Sequence, residues 1–285
     1  MSEKMSANRT VSPNEAKAAI RKCIKKQRPV FMWGPPGIGK SDIVKQIGNE
    51  QDREVIDVRL SLWEPTDIKG IPYYNSTSNT MTWAPPAELP TDPESTAILF
   101  LDELNSAAPA TQAAAFQLVL NRRVGTYQLP KGVSIVAAGN REGDKGVTYR
   151  MPTPLANRFL HQEMKVDFAS YQDWAVKNKI HKDVVGYLSF AKQDLYDFDP
   201  KSNSRSFATP RSWSFVSELL HDDDCDSDTL TDLVSGSVGE GLALKFMAHR
   251  KHSSKMPNPS DILNGKVKKM DSKEISAMYS LTVSL

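Results

Sequence analysis

Eight consecutive residues, Gly34-Pro35-Pro36-Gly37-Ile38-Gly39-Lys40-Ser41, constrain this chain more than any other stretch. They fit the spacing G-x-x-x-x-G-K-[ST], which chance would place in about one chain of this size in a hundred. An apolar run, Val30-Phe31-Met32-Trp33, precedes them, and Ser41 to Glu50 follows with Ile43, Val44 and Ile47 on one helical face. Strand, glycine-rich turn and helix in that order form the context that gives the spacing its meaning. Glycines let successive backbone N–H groups converge on phosphate oxygens, and the helix N-terminus adds its positive end. Lys40 can then reach the β- and γ-phosphates and Ser41 can ligate Mg²⁺. Gly34 through Ser41, with Asp42 beside them, are the candidate cradle for ATP and Mg²⁺. A turn that binds nothing would need neither the full motif nor its flanking elements.

The surrounding pattern is an alternation of strands and helices. Ser12-Pro13-Asn14-Glu15 opens a helix with a capping box and a proline in its first turn. Further strands are expected at Val55 to Leu60, Ala97 to Leu101, Val133 to Ala138 and Met164 to Val166, and a helix at Gln112 to Leu120. Thr153-Pro154 opens another helix. This alternation implies an α/β fold with a mostly parallel sheet covered on both faces. Beyond about Phe168 the strand signals stop, and segments 170–179, 183–193, 212–220, 238–249 and 272–281 favour helix. An α/β domain over 1–168 and a small all-α domain over 169–285 are therefore expected, a division that suits 285 residues. Asp222 to Asp228 reads as a solvated loop and helix start, because no glycine and closing glutamate follow at calcium-loop spacing. Lys251 to Ser260 reads as a linker, and Lys266, Lys268 and Lys269 as a solvated basic face.

Composition excludes several classes. With 36 Lys plus Arg against 34 Asp plus Glu, bulk charge would not hold the chain on DNA. No apolar run approaches a membrane span, and Met1 to Thr10 lacks the apolar segment of a secretory signal. Cys23 and Cys225 are too few and too distant for a disulfide framework, and the five His show no metal-ligand spacing. A cytoplasmic, reduced protein is expected.

Ile98-Leu99-Phe100-Leu101-Asp102-Glu103 supplies what the phosphate cradle lacks. A buried strand delivers two acids at its carboxyl end, where ligands of such sheets bind. Asp102 can hold Mg²⁺ through its water shell, and Glu103 can act as general base toward water. A third strand ends at Gly139-Asn140; if it neighbours the second, Asn140 can orient the lytic water and sense the γ-phosphate. By itself Asn140 would read as an ordinary turn residue.

With these motifs in place the sequence resembles the AAA+ ATPases, and more narrowly their MoxR-like group. The resemblance runs from about residue 12 to 265. It is carried by the Walker A segment, Asp67-Ile68-Lys69-Gly70, Trp83-Ala84-Pro85-Pro86 and the block Leu101 to Gln112, which departs from the family signature at Ser106 and Ala108. Ala138-Gly139-Asn140, Pro154 to Phe159, Thr209 to Trp213 and Pro259 to Leu263 complete it. The resemblance implies that Asn140 is the sensor-1 residue, Arg158 an arginine finger serving a neighbouring subunit, and Arg211 a sensor-2 arginine on a helical lid. Arg141 and Arg150 compete for the finger role. It also implies a helix-2 insert over about 68–90 and a hairpin over 122–130. The implied activity is Mg-dependent ATP hydrolysis in a ring-shaped homo-oligomer, a hexamer by resemblance, that remodels or assembles a partner. That partner would be a client or a von Willebrand factor A-type protein. The alternative is a DNA-directed or restriction-type motor subunit, open to GTP.

Overall fold

The computed structural model describes residues 9–144, 148–222 and 225–253. They form two compact units that divide between Lys165 and Val166. In chain order the first holds β1 (Thr10–Val11), α1 (Pro13–Lys25), β2 (Val30–Trp33), α2 (Lys40–Glu50), β3 (Val55–Arg59) and α3 (Pro65–Lys69). There follow β4 (Ile71–Asn75), β5 (Thr80–Ala84), β6 (Ile98–Asp102), α4 (Pro109–Asn121), β7 (Arg123–Val124) and β8 (Tyr127–Gln128). β9 (Ser134–Gly139), α5 (Thr153–Ala156) and β10 (Leu160–Met164) complete it.

Six of these strands form one sheet in the order β1-β10-β2-β9-β6-β3, every neighbouring pair parallel. Every residue of β6 and β9 is buried, as a parallel sheet covered on both faces requires. Phe31, Leu99, Leu101, Ile135 and Ala137 join one core with Ala114, Ala115 and Leu118 of α4. The alternate residues Met32, Ile98, Phe100 and Val136 are as deeply buried on the other face, where α1 and α2 pack.

The capping box at the start of α1 forms as expected: Ser12 Oγ accepts from Glu15 N at 3.2 Å, and Ser12 N donates to Glu15 Oε2 at 2.8 Å. Those bonds hold the Glu15 carboxyl below its usual range. Two expectations shift. The strand placed at Met164 to Val166 lies earlier, at Leu160–Met164, because its register is set by pairing with β2, Leu160 opposite Val30. The two-residue β1 was not legible at all, since it exists only as an edge against β10.

Residues 68–90 contain the antiparallel pair β4-β5, with Tyr74 opposite Met81. A two-stranded ribbon alone is marginal; this one leans on a second hairpin, β7-β8, formed within the expected 122–130. Thr126 Oγ1 donates to Trp83 O at 2.9 Å, and Tyr127 OH donates to Pro90 O at 2.7 Å.

The second unit is helical: α6 (Phe168–Lys177), α7 (Lys182–Phe190), α8 (Pro210–His221), α9 (Ser227–Val238) and α10 (Glu240–Ser253). Its core gathers Trp213, Tyr187, Leu188, Val216 and Phe246. Trp213 is fully buried and donates through Nε1 to Asp194 O at 2.9 Å. Asp226 caps α9, accepting from Asp228 N and Thr229 N, which gives the acidic stretch its helix-start role. The single helix expected at 238–249 is in fact preceded by α9, with Gly239 at φ 94° making the break. α10 continues to Ser253, into the first residues read as a linker. Asp223, Asp224, the rest of that linker, the 259–263 motif, the lysine run and the 272–281 helix lie outside the described residues. Among the described residues no helix is long and apolar enough to cross a membrane.

Candidate functional site

The carboxyl ends of β2, β6 and β9 are neighbours because β9 lies between the other two. This order brings three sequence-distant motifs to one sheet edge. β2 ends at Trp33, the glycine-rich loop turns, and α2 begins at Lys40 with Gly39 as N-cap. Gly39 has φ 91° and, lacking a side chain, offers α2 no side-chain cap. A β-carbon here would meet a backbone conformation that L residues rarely adopt. The loop is thus built to present N–H groups to an anion.

Lys40 folds back over this loop. Its Nζ donates to Gly34 O at 2.7 Å, Pro35 O at 3.0 Å and Asn140 Oδ1 at 3.0 Å. Ser41 Oγ donates to Asp102 Oδ2 at 2.9 Å, and Glu103 N donates to Asp102 Oδ1 at 2.9 Å. Asp102 is nearly buried. Among the described residues no group of three or more His, Cys, Asp or Glu could enclose a metal. A hydroxyl beside one carboxylate nevertheless fits Mg²⁺, which takes one or two protein ligands and fills its shell with phosphate oxygens and water. Asp57, on β3, is held above the ordinary carboxylate range by burial first and by the charge of Asp102 second.

Glu103 stands in left-handed backbone, φ 54° and ψ 32°. Its carboxylate accepts a hydrogen bond from Ser61 Oγ and lies 3.8 Å from Arg59 Nε. Neither partner was expected, and nothing local marks them. They follow from the β3–β6 register, which sets Arg59 opposite Asp102. Asn105 was also not singled out; it is 1% exposed and donates through Nδ2 to Asn140 O at 2.7 Å.

Two hydrogen-bonded pairs, Lys40 with Asn140 and Ser41 with Asp102, thus start from consecutive residues, with Glu103 adjoining Asp102. Asp42 is exposed in the first turn of α2 and takes no part. Gly37 and Ile38 complete the loop, Ile38 buried and Pro36 half-buried. Arg141 is engaged within its own chain, with Asp144 at 3.0 Å and Glu163 at 3.8 Å. Arg158, in the turn after α5, and Arg150 are exposed and make no ion pair among the described residues. Trp33 Nε1 donates to His161 Nδ1 at 2.9 Å, and His161 Nε2 lies 2.8 Å from Ala156 O. Indole nitrogen only donates, so His161 carries its proton on Nε2 and links the end of β2 to the Arg158 turn. Arg211 is exposed in the first turn of α8, in the helical unit.

Fold and loop together define a P-loop nucleotide-binding module of the parallel α/β type. Residues 29–161, just under half of the chain, match the family model "ATPase family associated with various cellular activities (AAA)". Midasin of Giardia intestinalis is 28% identical over 195 residues, which is 65% of this chain but only 4% of that protein. Among solved structures, NtrX of Brucella abortus covers 98% of this chain and 64% of its own at 15% identity and TM-score 0.48. The RuvB Holliday junction branch migration motor of Thermotoga maritima covers 95% and 86% at 16% identity and TM-score 0.44.

Proposed function

We propose that the chain is a Mg²⁺-dependent ATPase of the MoxR-like kind, acting in a ring and coupling hydrolysis to remodelling of a partner protein complex. The observation that carries this is the pair of hydrogen bonds from consecutive residues, Lys40 to Asn140 at 3.0 Å and Ser41 to Asp102 at 2.9 Å, at the mouth of the glycine-rich loop. Lys40 exchanges its loop carbonyls for β- and γ-phosphate oxygens when nucleotide enters, and the first turn of α2 turns its positive end to the same phosphates. Ser41 and Asp102 would hold Mg²⁺, which would supply charge neutralisation at the phosphates. Glu103 takes the proton of the attacking water, and Asn140 orients that water. Arg158, exposed and without an acid partner among the described residues, serves the site of the next protomer. Arg211 senses the γ-phosphate from the helical unit.

A protein partner is favoured over a DNA track by the insert. Ile71 to Ala87 carries no charged side chain, and Ile71, Tyr73, Tyr74 and Met81 are exposed on it. A nucleic-acid backbone needs cations at its contact surface. A client or a von Willebrand factor A-type protein is the partner we infer. The deciding experiment is turnover of ATP and GTP by wild type and Glu103→Gln, with nucleotide affinity measured alongside. The expected result is retained affinity with turnover reduced about 10²- to 10⁴-fold. Equal turnover in both proteins removes Glu103 as the base, and strong, salt-sensitive stimulation by DNA replaces the protein partner with a nucleic acid.

A further inference from the structure

We propose that Asn105 is a positioning residue for hydrolysis: it fixes the backbone that carries Asn140 and so sets where Asn140 holds the attacking water. The inference rests on the reading of Asn140 given above. Asn105 lies two residues beyond Glu103, in the 3₁₀ turn Leu104–Ser106, and is 1% exposed. Its Nδ2 donates to Asn140 O at 2.7 Å, and its own carbonyl accepts from Tyr149 N at 2.7 Å. Ser106 N closes the turn on Glu103 O at 2.9 Å. One residue thus ties together the segment bearing the proposed base, the tip bearing the proposed water ligand and the backbone just before Arg150.

Two details separate positioning from mere packing. A β-carbon on Gly139 would stand 2.0 Å from Asn105 Oδ1 and 2.8 Å from both Asn105 Cγ and Phe31 Cζ. The Asn105 amide therefore lies flat on the last residue of β9, a close approach that only glycine permits. Further, Asn105 Oδ1 is buried with no hydrogen-bond partner. A buried acceptor without a donor costs stability, so a leucine of similar size would serve packing better. What leucine cannot supply is the Nδ2–H that holds Asn140 O. Because Asn140 Oδ1 is already the acceptor of Lys40 Nζ at 3.0 Å, the amide of Asn140 is held from the loop side and its backbone from the Asn105 side.

The test compares the full-length wild type with Asn105→Ala, Asn105→Leu, Asn140→Ala and the double variant Asn105→Ala/Asn140→Ala. It measures kcat and KM for ATP, affinity for a fluorescent ADP analogue, and thermal melting. Misplacing a water-orienting group lowers kcat roughly 10- to 100-fold while leaving KM and ADP affinity near wild type. The double variant then turns over no more slowly than Asn140→Ala alone, since both substitutions disable one device. Asn105→Leu carries the same kcat loss without a lowered melting temperature, so the conclusion stands even if Asn105→Ala folds poorly. Wild-type kcat in Asn105→Leu, or losses that multiply in the double variant, overturns the inference while leaving Asn140 in place. Wild-type turnover in Asn140→Ala removes the reading of Asn140 and this inference with it.

Discussion

Glu103 is the residue where local conformation and chemistry meet. A non-glycine residue at φ 54° costs of order 1–3 kcal/mol and persists only where its surroundings impose it. The hydrogen bond from Ser61 Oγ and the nearby Arg59 are part of that imposition. They also occupy the carboxylate proposed as the general base. Ser61→Ala should therefore raise basal turnover by about 3- to 10-fold, the net share of one ordinary hydrogen bond; unchanged steady-state rates would mean that the Ser61 contact does not restrain the proposed base. Asp57 carries the opposite kind of stress. Burial and Asp102 push its carboxyl above the ordinary 3.8, so the folded state prefers the protonated form. The stability this gives is complete below the ordinary value and is lost as pH rises through the folded one. Asp57→Asn should accordingly stabilise the protein at pH 7 and give little or no gain at pH 3; a melting-temperature gain of the same size at both pH values would refute it.

At the level of elements, caps and hinges decide more than propensity. α7 begins at His181, whose Nδ1 accepts from Asp183 N at 3.2 Å and whose own backbone N donates to Ser217 Oγ of α8 at 2.8 Å. Burial is the main reason the imidazole titrates below its ordinary 6.5; Asp183 opposes the shift, while His221, Arg250 and Lys182 reinforce it. The neutral ring is the folded form, so its contribution is present above 6.5 and is lost as pH falls toward the lowered value. Protonating Nδ1 also removes the cap. Protection from hydrogen exchange in α7 and the end of α8 should fall as pH drops below about 6.5, beyond what the intrinsic chemistry gives. His181→Asn, a cap that does not titrate, should flatten that profile; persistence of the full acid response in this variant would place the titration elsewhere. The same cap logic explains which helix starts are readable. Ser12 with Glu15 and Asp226 before α9 are local signals, whereas the break at Gly239 is one residue among helix formers.

For the whole molecule the issue is whether one chain suffices. Arg141 is tied to Asp144 and Glu163, while Arg158 has no acid partner among the described residues. If a second protomer receives Arg158, specific activity rises with protein concentration and Arg158→Ala abolishes the rise, with a loss of roughly 10³-fold or more at saturation. Turnover that is independent of concentration and survives the substitution would confine catalysis to single chains. The His161 bridge between Trp33 and Ala156 offers a physical link from the loop to the proposed finger, since it joins β2 to the turn that carries Arg158.

Much of this was legible in the residues themselves. The glycine-rich loop, the acids ending β6 and the parallel sheet follow from spacing, apolar runs and the scarcity of charge within strands, all of which are local properties of a chain. Ser61, Arg59 and Asn105 were not legible, because their roles depend on register: which residue of β3 lies opposite Asp102, and how closely a turn lies against Gly139. Asn140 stood between these cases, an ordinary turn residue until the sheet order set β9 between β2 and β6. Chemistry that needs one residue type at a fixed spacing can be read along the chain; contacts between strands far apart in sequence are settled only when the core packs and selects a single register.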